Sequence, residues 1–168
     1  MGEIAVRRPT PFNSSLEVGL RALVILVEAH PEALDLQRLV QFDYIALHSE
    51  DAGGPQSLHP PLPLRSGELT VRRRLVEGGL LLMISRGLVE RIPSEVDGII
   101  YRATDAAGPF VSNLHARYTQ DLRSSVRWTI ASFGTASGEE LRSLTSSFYR
   151  QWSSEFETAS PVLPFGEV

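Results

Sequence analysis

Gly87-Leu-Val-Glu-Arg-Ile92, then Pro93 to Gly98, then Ile99-Ile-Tyr-Arg-Ala-Thr104 is the stretch whose reading decides the fold. Gly87 ends the helical pattern before it, as a residue free to take a positive φ does. Residues 88–92 alternate enough for a strand, Asp97-Gly98 supplies a turn, and the β-branched and aromatic residues 99–104 return as a second strand. A hairpin that starts directly after a helix constrains everything upstream of it.

Three helical patterns precede the hairpin. Ser14 followed by Glu17 forms a capping box, with Phe12 as its hydrophobic staple. Leu16, Leu20, Leu23, Val24 and Val27 recur at three- and four-residue spacing, and Ile25 and Leu26 widen the apolar arc. This helix is expected to be buried on most sides and to stop at His30-Pro31. Asp35 reads as the N-cap of a second helix with Leu36, Leu39, Val40, Tyr44 and Leu47 on one face. Phe42 and Ile45 fall off that face and are expected to touch a partner. Ser66 and Glu68 open a third helix running to about Arg86, in which Gly78-Gly79 permits a kink or the close approach of another backbone. Three helices followed by such a hairpin make a winged helix-turn-helix with a two-stranded wing. The fold class is therefore mainly α (α+β), with this unit over residues 13–104.

Between the second and third helices, residues 49–65 hold Gly53-Gly54-Pro55 and then Pro60, Pro61 and Pro63, where fixed φ angles and missing donors forbid regular structure. A loop of this length inside a compact domain is often functional. Beyond the hairpin, Thr104 or Asp105 is read as the cap of one long helix carrying Phe110 or Val111, Leu114, Tyr118, Leu122, Val126, Ile130 and Phe133, closed by Gly134. Ser137 with Glu140 opens a last helix with Leu141, Leu144, Phe148, Trp152 and Phe156 as its stripe. These two are expected to form a C-terminal helical pair over residues 105–158, with Trp128 and Trp152 as core or interface anchors. Residues 1–12 and 159–168 read as a flexible N-terminus and tail.

Composition narrows the function classes. With no cysteine among 168 residues, disulfides, zinc–thiolate sites, iron–sulfur clusters and thiol nucleophiles are excluded by counting, which fits a reducing, cytoplasmic setting. Residues 20–27 and 80–84 are the most apolar stretches and fall far short of the roughly 20 residues of a membrane span. No export signal is read at the N-terminus. All 16 basic residues are arginine, as a GC-rich genome would give. The net charge of -4 argues against binding nucleic acid by bulk electrostatics. Charge is unevenly placed, however: residues 65–91 carry six arginines against three glutamates, and residues 135–168 two arginines against five.

The helix before a wing is the one that enters the major groove in DNA-binding proteins of this architecture, and here it holds Arg72, Arg73 and Arg74, with Arg65 and Arg86 at its ends. Three consecutive helical positions fan over about 200°, so all three cannot face one groove. A solvated arginine face, a nucleic-acid contact and a protein interface all stay open. The missing compact turn between the second and third helices and the negative net charge lower the DNA reading. Of His30, His48, His59 and His115, only His48 and His59 share a neighbourhood, with Glu50 and Asp51 near them. That is too little for a metal site, and no catalytic, cofactor-binding or metal residue is assigned. The candidate interface or DNA-contact residues are Arg65, Arg72, Arg73, Arg74, Arg86, His59 and Phe42.

Several runs carry a family resemblance: Phe12-Asn-Ser-Ser-Leu-Glu-Val-Gly-Leu-Arg-Ala-Leu23, Asp35-Leu-Gln-Arg-Leu-Val40, Asp51-Ala-Gly-Gly-Pro55 with Ser57-Leu-His-Pro60, Arg65-Ser-Gly-Glu-Leu69, and Leu82-Met-Ile-Ser-Arg-Gly-Leu88. Together they resemble the middle component, second type, of bacterial ABC-three-component systems, over roughly Phe12 to Phe156. Such systems are similar to the Lamassu class of anti-phage and anti-plasmid defence. The resemblance implies a non-catalytic adaptor in a hetero-oligomer, with an SMC- or Rad50-like ATPase and an effector, often a nuclease, as partners and DNA engaged through the complex. It implies no cofactor and no membrane. The rival reading from the residues is a winged-helix transcriptional regulator whose C-terminal helices make a homodimer.

Overall fold

The computed structural model describes residues 14–60 and 68–159. Phe12, Arg65, Pro61, Pro63, the side chains of Trp152 and Phe156, and the ends at 1–13 and 160–168 lie outside the described residues. The chain runs α1 (Ser15–Ala29), β1 (Leu34–Asp35), α2 (Leu36–Leu47), a 3-10 turn (Ser49–Ala52), α3 (Glu68–Ser85), β2 (Val89–Ser94), β3 (Gly98–Ala103), α4 (Ala107–Ser112), α5 (Arg117–Phe133) and α6 (Gly138–Ala159). The fold is thus mainly helical with a small antiparallel sheet.

Local signals place the helix starts. Ser14 Oγ accepts from Glu17 N at 3.2 Å and Asp35 Oδ1 from Arg38 N at 2.8 Å, each satisfying a donor that the first turn leaves free. Ser137 and Glu140 form the full capping box, with bonds of 3.1 and 2.6 Å in the two directions. Gly87 and Gly98, at φ of 71° and 76°, take the left-handed conformations that end α3 and open β3.

The sheet has three strands in the order β1-β3-β2, one more than the two-stranded wing expected. β1 pairs Leu34 with Tyr101 and Asp35 with Ile100; two residues are too few to show any alternation in sequence. β2 extends two residues into the expected turn: Pro93 pairs with Ile99 and Ser94 with Gly98. Proline is tolerated there because β2 is an edge strand. Ser94 Oγ accepts from Asp97 N at 3.2 Å and tightens the three-residue connection.

The helix expected from residue 104 to 133 is broken between Asn113 and Ala116. Thr104 does not cap it, because its hydroxyl donates to Gly87 O at 2.7 Å and ties the end of β3 to the end of α3. The break lets α4 pack on α1 while α5 lies against both α1 and α2. Apolar periodicity runs through it uninterrupted, so the sequence pattern conceals it. α6 packs on α2, and α1 through α6 contribute to one hydrophobic cluster. Within α1, Leu16 is 63% exposed, outside the stripe expected of it, whereas Leu23, Val24 and Leu26 are fully buried.

α1 and α3 approach closely enough to exclude side chains. A Cβ on Gly79 would lie 2.5 Å from Gly19 N, and one on Gly19 would lie 2.7 Å from Gly79 O. Gly78-Gly79 therefore produces backbone contact without interrupting α3, the second of the two options open to it. Gly79→Ala is expected to destabilise the fold by about 2 kcal/mol or more, as overpacking against immobile backbone does. Gly78→Ala, which meets nothing nearer than Ser15 Oγ at 4.0 Å, should instead stabilise by about 0.5–1 kcal/mol through helix propensity. Urea midpoints of the two variants check the opposite signs.

Candidate functional site

Two charged residues within apolar runs organise the centre of the molecule. Arg21 of α1 and Asp43 of α2 are 4% and 3% exposed. Arg21 Nε donates to Asp43 Oδ1 at 2.6 Å and a terminal guanidinium nitrogen donates to Oδ2 at 3.3 Å, a forked pair. Arg72 of α3 donates to the same Oδ2 at 2.9 Å, with its guanidinium 5.2 Å from the centre of the Tyr44 ring. One carboxylate thereby joins three helices. Burial by itself raises the Asp43 carboxyl, but Arg21 and Arg72 together outweigh it and hold it below the usual carboxylate range.

The first half of the Gly/Pro loop closes over this centre. Ser49 Oγ donates to Pro55 O at 2.9 Å, and Leu58 N and His59 N both donate to Leu47 O, at 3.0 and 3.2 Å. Gly54 lies flat on Trp128 of α5: a Cβ there would stand 2.6 Å from the indole. His59 Nε2 meets Tyr118 Oη at 3.1 Å. Burial depresses the His59 imidazole, and the neighbouring Arg21 adds to the effect. His48, packed against Tyr44 at 5.0 Å between ring centres, is lowered from 6.5 to about 4, first by burial and then by Arg72.

The expected site residues separate into distinct environments. Arg72 and His59 come together around Asp43. Arg72 thus turns inward with 22% of its side chain still exposed, whereas Arg73 and Arg74 on α3 and Arg86 just past its end are exposed. Arg65 lies outside the described residues. Phe42 is 2% exposed and Ile45 fully buried, so neither is presented to a partner: α5 and α6 cover the side of α2 that the sequence left open. Arg38 reaches over Phe42, its guanidinium 5.6 Å from the ring centre, and donates to Gly134 O and Ala136 O at 2.9 and 2.7 Å. Trp128 is partly buried under the loop, edge-on to Phe133. Asp43, Arg21 and Tyr118 were missed as a group, although a charge in the middle of each of two apolar helical runs is a readable signal for the first two.

The outward face of α3 has a mixed character. Arg73, Glu77, Leu81, Arg74 and Val71 fall within about 160° of one another by the helical period, and Val71 and Leu81 are 57% and 58% exposed. Beside it the hairpin tip presents Val96, 91% exposed. Among the described residues, no group of three His, Asp or Glu could hold a metal ion, and no helix is long and apolar enough to cross a membrane.

These features define a small helical α+β module whose buried charges join its helices and whose α3 and hairpin present arginine and apolar side chains together. Residues 11–155 match the family model of the ABC-three component (ABC-3C) system Middle Component 2, and the chain belongs to that family. It is therefore a middle component of a three-component system, and such a component has protein partners. No curated protein and no solved structure matches the chain.

Removing the shared carboxylate strands Arg21 in the core, so Asp43→Ala should cost about 3–5 kcal/mol, read as a fall in the urea midpoint. Acid acts in the same direction. Folded His48 stays neutral to about pH 4, whereas in the unfolded chain it takes up a proton near 6.5. Its contribution is whole above pH 6.5 and is lost as the pH falls toward 4, with the depressed Asp43 carboxyl adding loss below its ordinary 3.8. Melting temperature should fall steadily over that window, and His48→Gln should flatten the slope.

Proposed function

We propose that the chain is a non-catalytic, cytoplasmic adaptor that links an SMC- or Rad50-like ABC ATPase to an effector subunit, often a nuclease, in a Lamassu-type complex defending bacteria against phage and plasmids. On this reading residues 13–104 form a winged helix-turn-helix used for protein contact. The order helix, short strand, two helices and hairpin, with β1 pairing on β3, supports that assignment. The C-terminal helices then extend the core of the unit.

The observation that carries the adaptor reading is the outward face of α3. A helix committed to phosphates and base edges would present arginine and polar side chains. This one places Leu81 nearly in line with Arg74 and leaves Val71 beside them, each more than half exposed. Arginine framing apolar side chains is the composition of a protein interface core. Contact with DNA, reached through the complex, would fall to Arg73 and Arg86 at the margins of that face.

Co-expression with an SMC- or Rad50-like ATPase subunit of such a system, followed by mass measurement of the purified species, tests the reading. The wild-type chain should co-purify as a hetero-oligomer. Arg74→Glu with Leu81→Asp should weaken association at least tenfold, the effect of losing one or two central contacts, while melting temperature stays within a degree or two because both side chains are exposed. A chain that ignores the ATPase and protects a defined DNA site as a homodimer would establish the regulator instead.

A further inference from the structure

A cavity of about 390 Å³ lies between α2, α3 and α6, lined by Gln41, Tyr44, Thr70, Arg73, Arg142 and Thr145 among others. Three properties set it apart. Among the described residues its lining contains two guanidinium groups, Arg73 from α3 and Arg142 from α6, and no carboxylate. The neighbouring cavity toward the hairpin, by contrast, balances Arg73 and Arg91 with Asp35, Glu77 and Asp97. Among the described residues neither Arg73 nor Arg142 has an ion-pair partner. Finally, the Gln41 side chain is only 7% exposed, and its Oε1 is buried with no hydrogen-bond partner. A buried amide oxygen left without a donor costs roughly 1–3 kcal/mol unless something supplies one.

We propose that this cavity binds a phosphate monoester of about mononucleotide size. The exposed guanidiniums of Arg73 and Arg142 match the charge of a monoester, about -1.5 to -2 at neutral pH, and can donate to its three terminal oxygens. A single carboxylate would leave one of the two cations unmatched. The hydroxyls of Thr70 and Ser146 add further donors at the same opening. Behind them Val40 and Tyr44 form an apolar wall for the body of the ligand, and the Gln41 amide supplies the polar contact that fixes its orientation. The volume lies at the lower end of the roughly 300–1,000 Å³ of small-molecule sites, enough for a nucleoside with one phosphate and too little for a larger cofactor. Arg73 is shared with the margin of the α3 face, but Gln41 and Arg142 lie outside it, so variants at those two positions test this site separately from the adaptor reading.

The test is calorimetric titration of the full chain with adenosine 5′-monophosphate, inorganic phosphate and adenosine as probes. Saturable binding of the monophosphate is expected, weaker binding of inorganic phosphate, and none of adenosine. Arg142→Ala and Arg73→Ala should each weaken monophosphate binding at least tenfold, as loss of a charge-assisted contact does. Arg74→Ala, one residue along α3 and absent from the lining, should leave it unchanged. Gln41→Leu should reduce monophosphate affinity and spare inorganic phosphate; circular dichroism confirms that each variant is folded. Absence of saturable binding by both phosphate probes at 10 mM, or binding that survives Arg73→Ala combined with Arg142→Ala, overturns the proposal. So does an acidic peptide that binds at the arginines while the monophosphate does not, since it makes the cavity a receptor for a protein side chain.

Discussion

Asp43 is a carboxylate taken almost wholly out of water, and the arrangement of the first three helices follows from what it then requires. An isolated buried charge is too costly to persist, so its oxygens must be matched by cations with good geometry. Arg21 supplies a fork from α1 and Arg72 a single strong bond from α3. Hydrophobic burial would bring these helices together in many registers. The charge triad accepts very few, and the Gly19–Gly79 contact fits only when α1 and α3 meet backbone to backbone. The triad thus selects a packing that apolar contacts stabilise.

The same economy governs the other arginines. Arg38 satisfies two carbonyls at the turn between α5 and α6, and Arg123 and Arg127 of α5 both pair with Glu28 of α1 at 2.8 Å. In each case a planar guanidinium bridges elements that apolar contact alone would leave free to slide. Two groups of arginines not used in this way stand out at the surface: Arg74 beside Leu81 on α3, and Arg73 with Arg142 around a cavity with no acid among its described lining residues. The distinction between internal and outward arginine, more than the total charge, indicates where a middle component can meet another molecule.

The loop after α2 shows how a segment rich in glycine and proline becomes structural. Ser125 Oγ donates to Ala46 O deep in the core and also meets Ser49 Oγ at 3.2 Å. Gly54 flattens against Trp128, and His59 reaches Tyr118. Through residue 60 the loop is anchored on α5 and on the end of α2. Residues 53–60 form neither helix nor strand, yet the backbone of Leu58 and His59 and the side chains of Ser49 and His59 find hydrogen-bond partners. His48 and His59 are consequently held near the charge triad, His48 buried and His59 partly so.

What the sequence determined by itself is the set of features written within a few residues of one another. The N-caps at Ser14 and Asp35, the capping box at Ser137 and Glu140, the turns at Gly87 and Gly98 and the hairpin all rest on hydrogen bonds or φ preferences spanning about four residues, so spacing alone displays them. The family resemblance was equally legible, because it lies in such runs. Tertiary structure decided the rest. Asp43 finds its cations 22 and 29 residues away, β1 exists only because β3 lies beside it, and the break at 113–116 answers to what α4 and α5 must each cover. Phe42 and Arg72 turned inward for the same reason. Helical period fixes the angle between two side chains on one helix, but which arc faces the core depends on every other element packed against it.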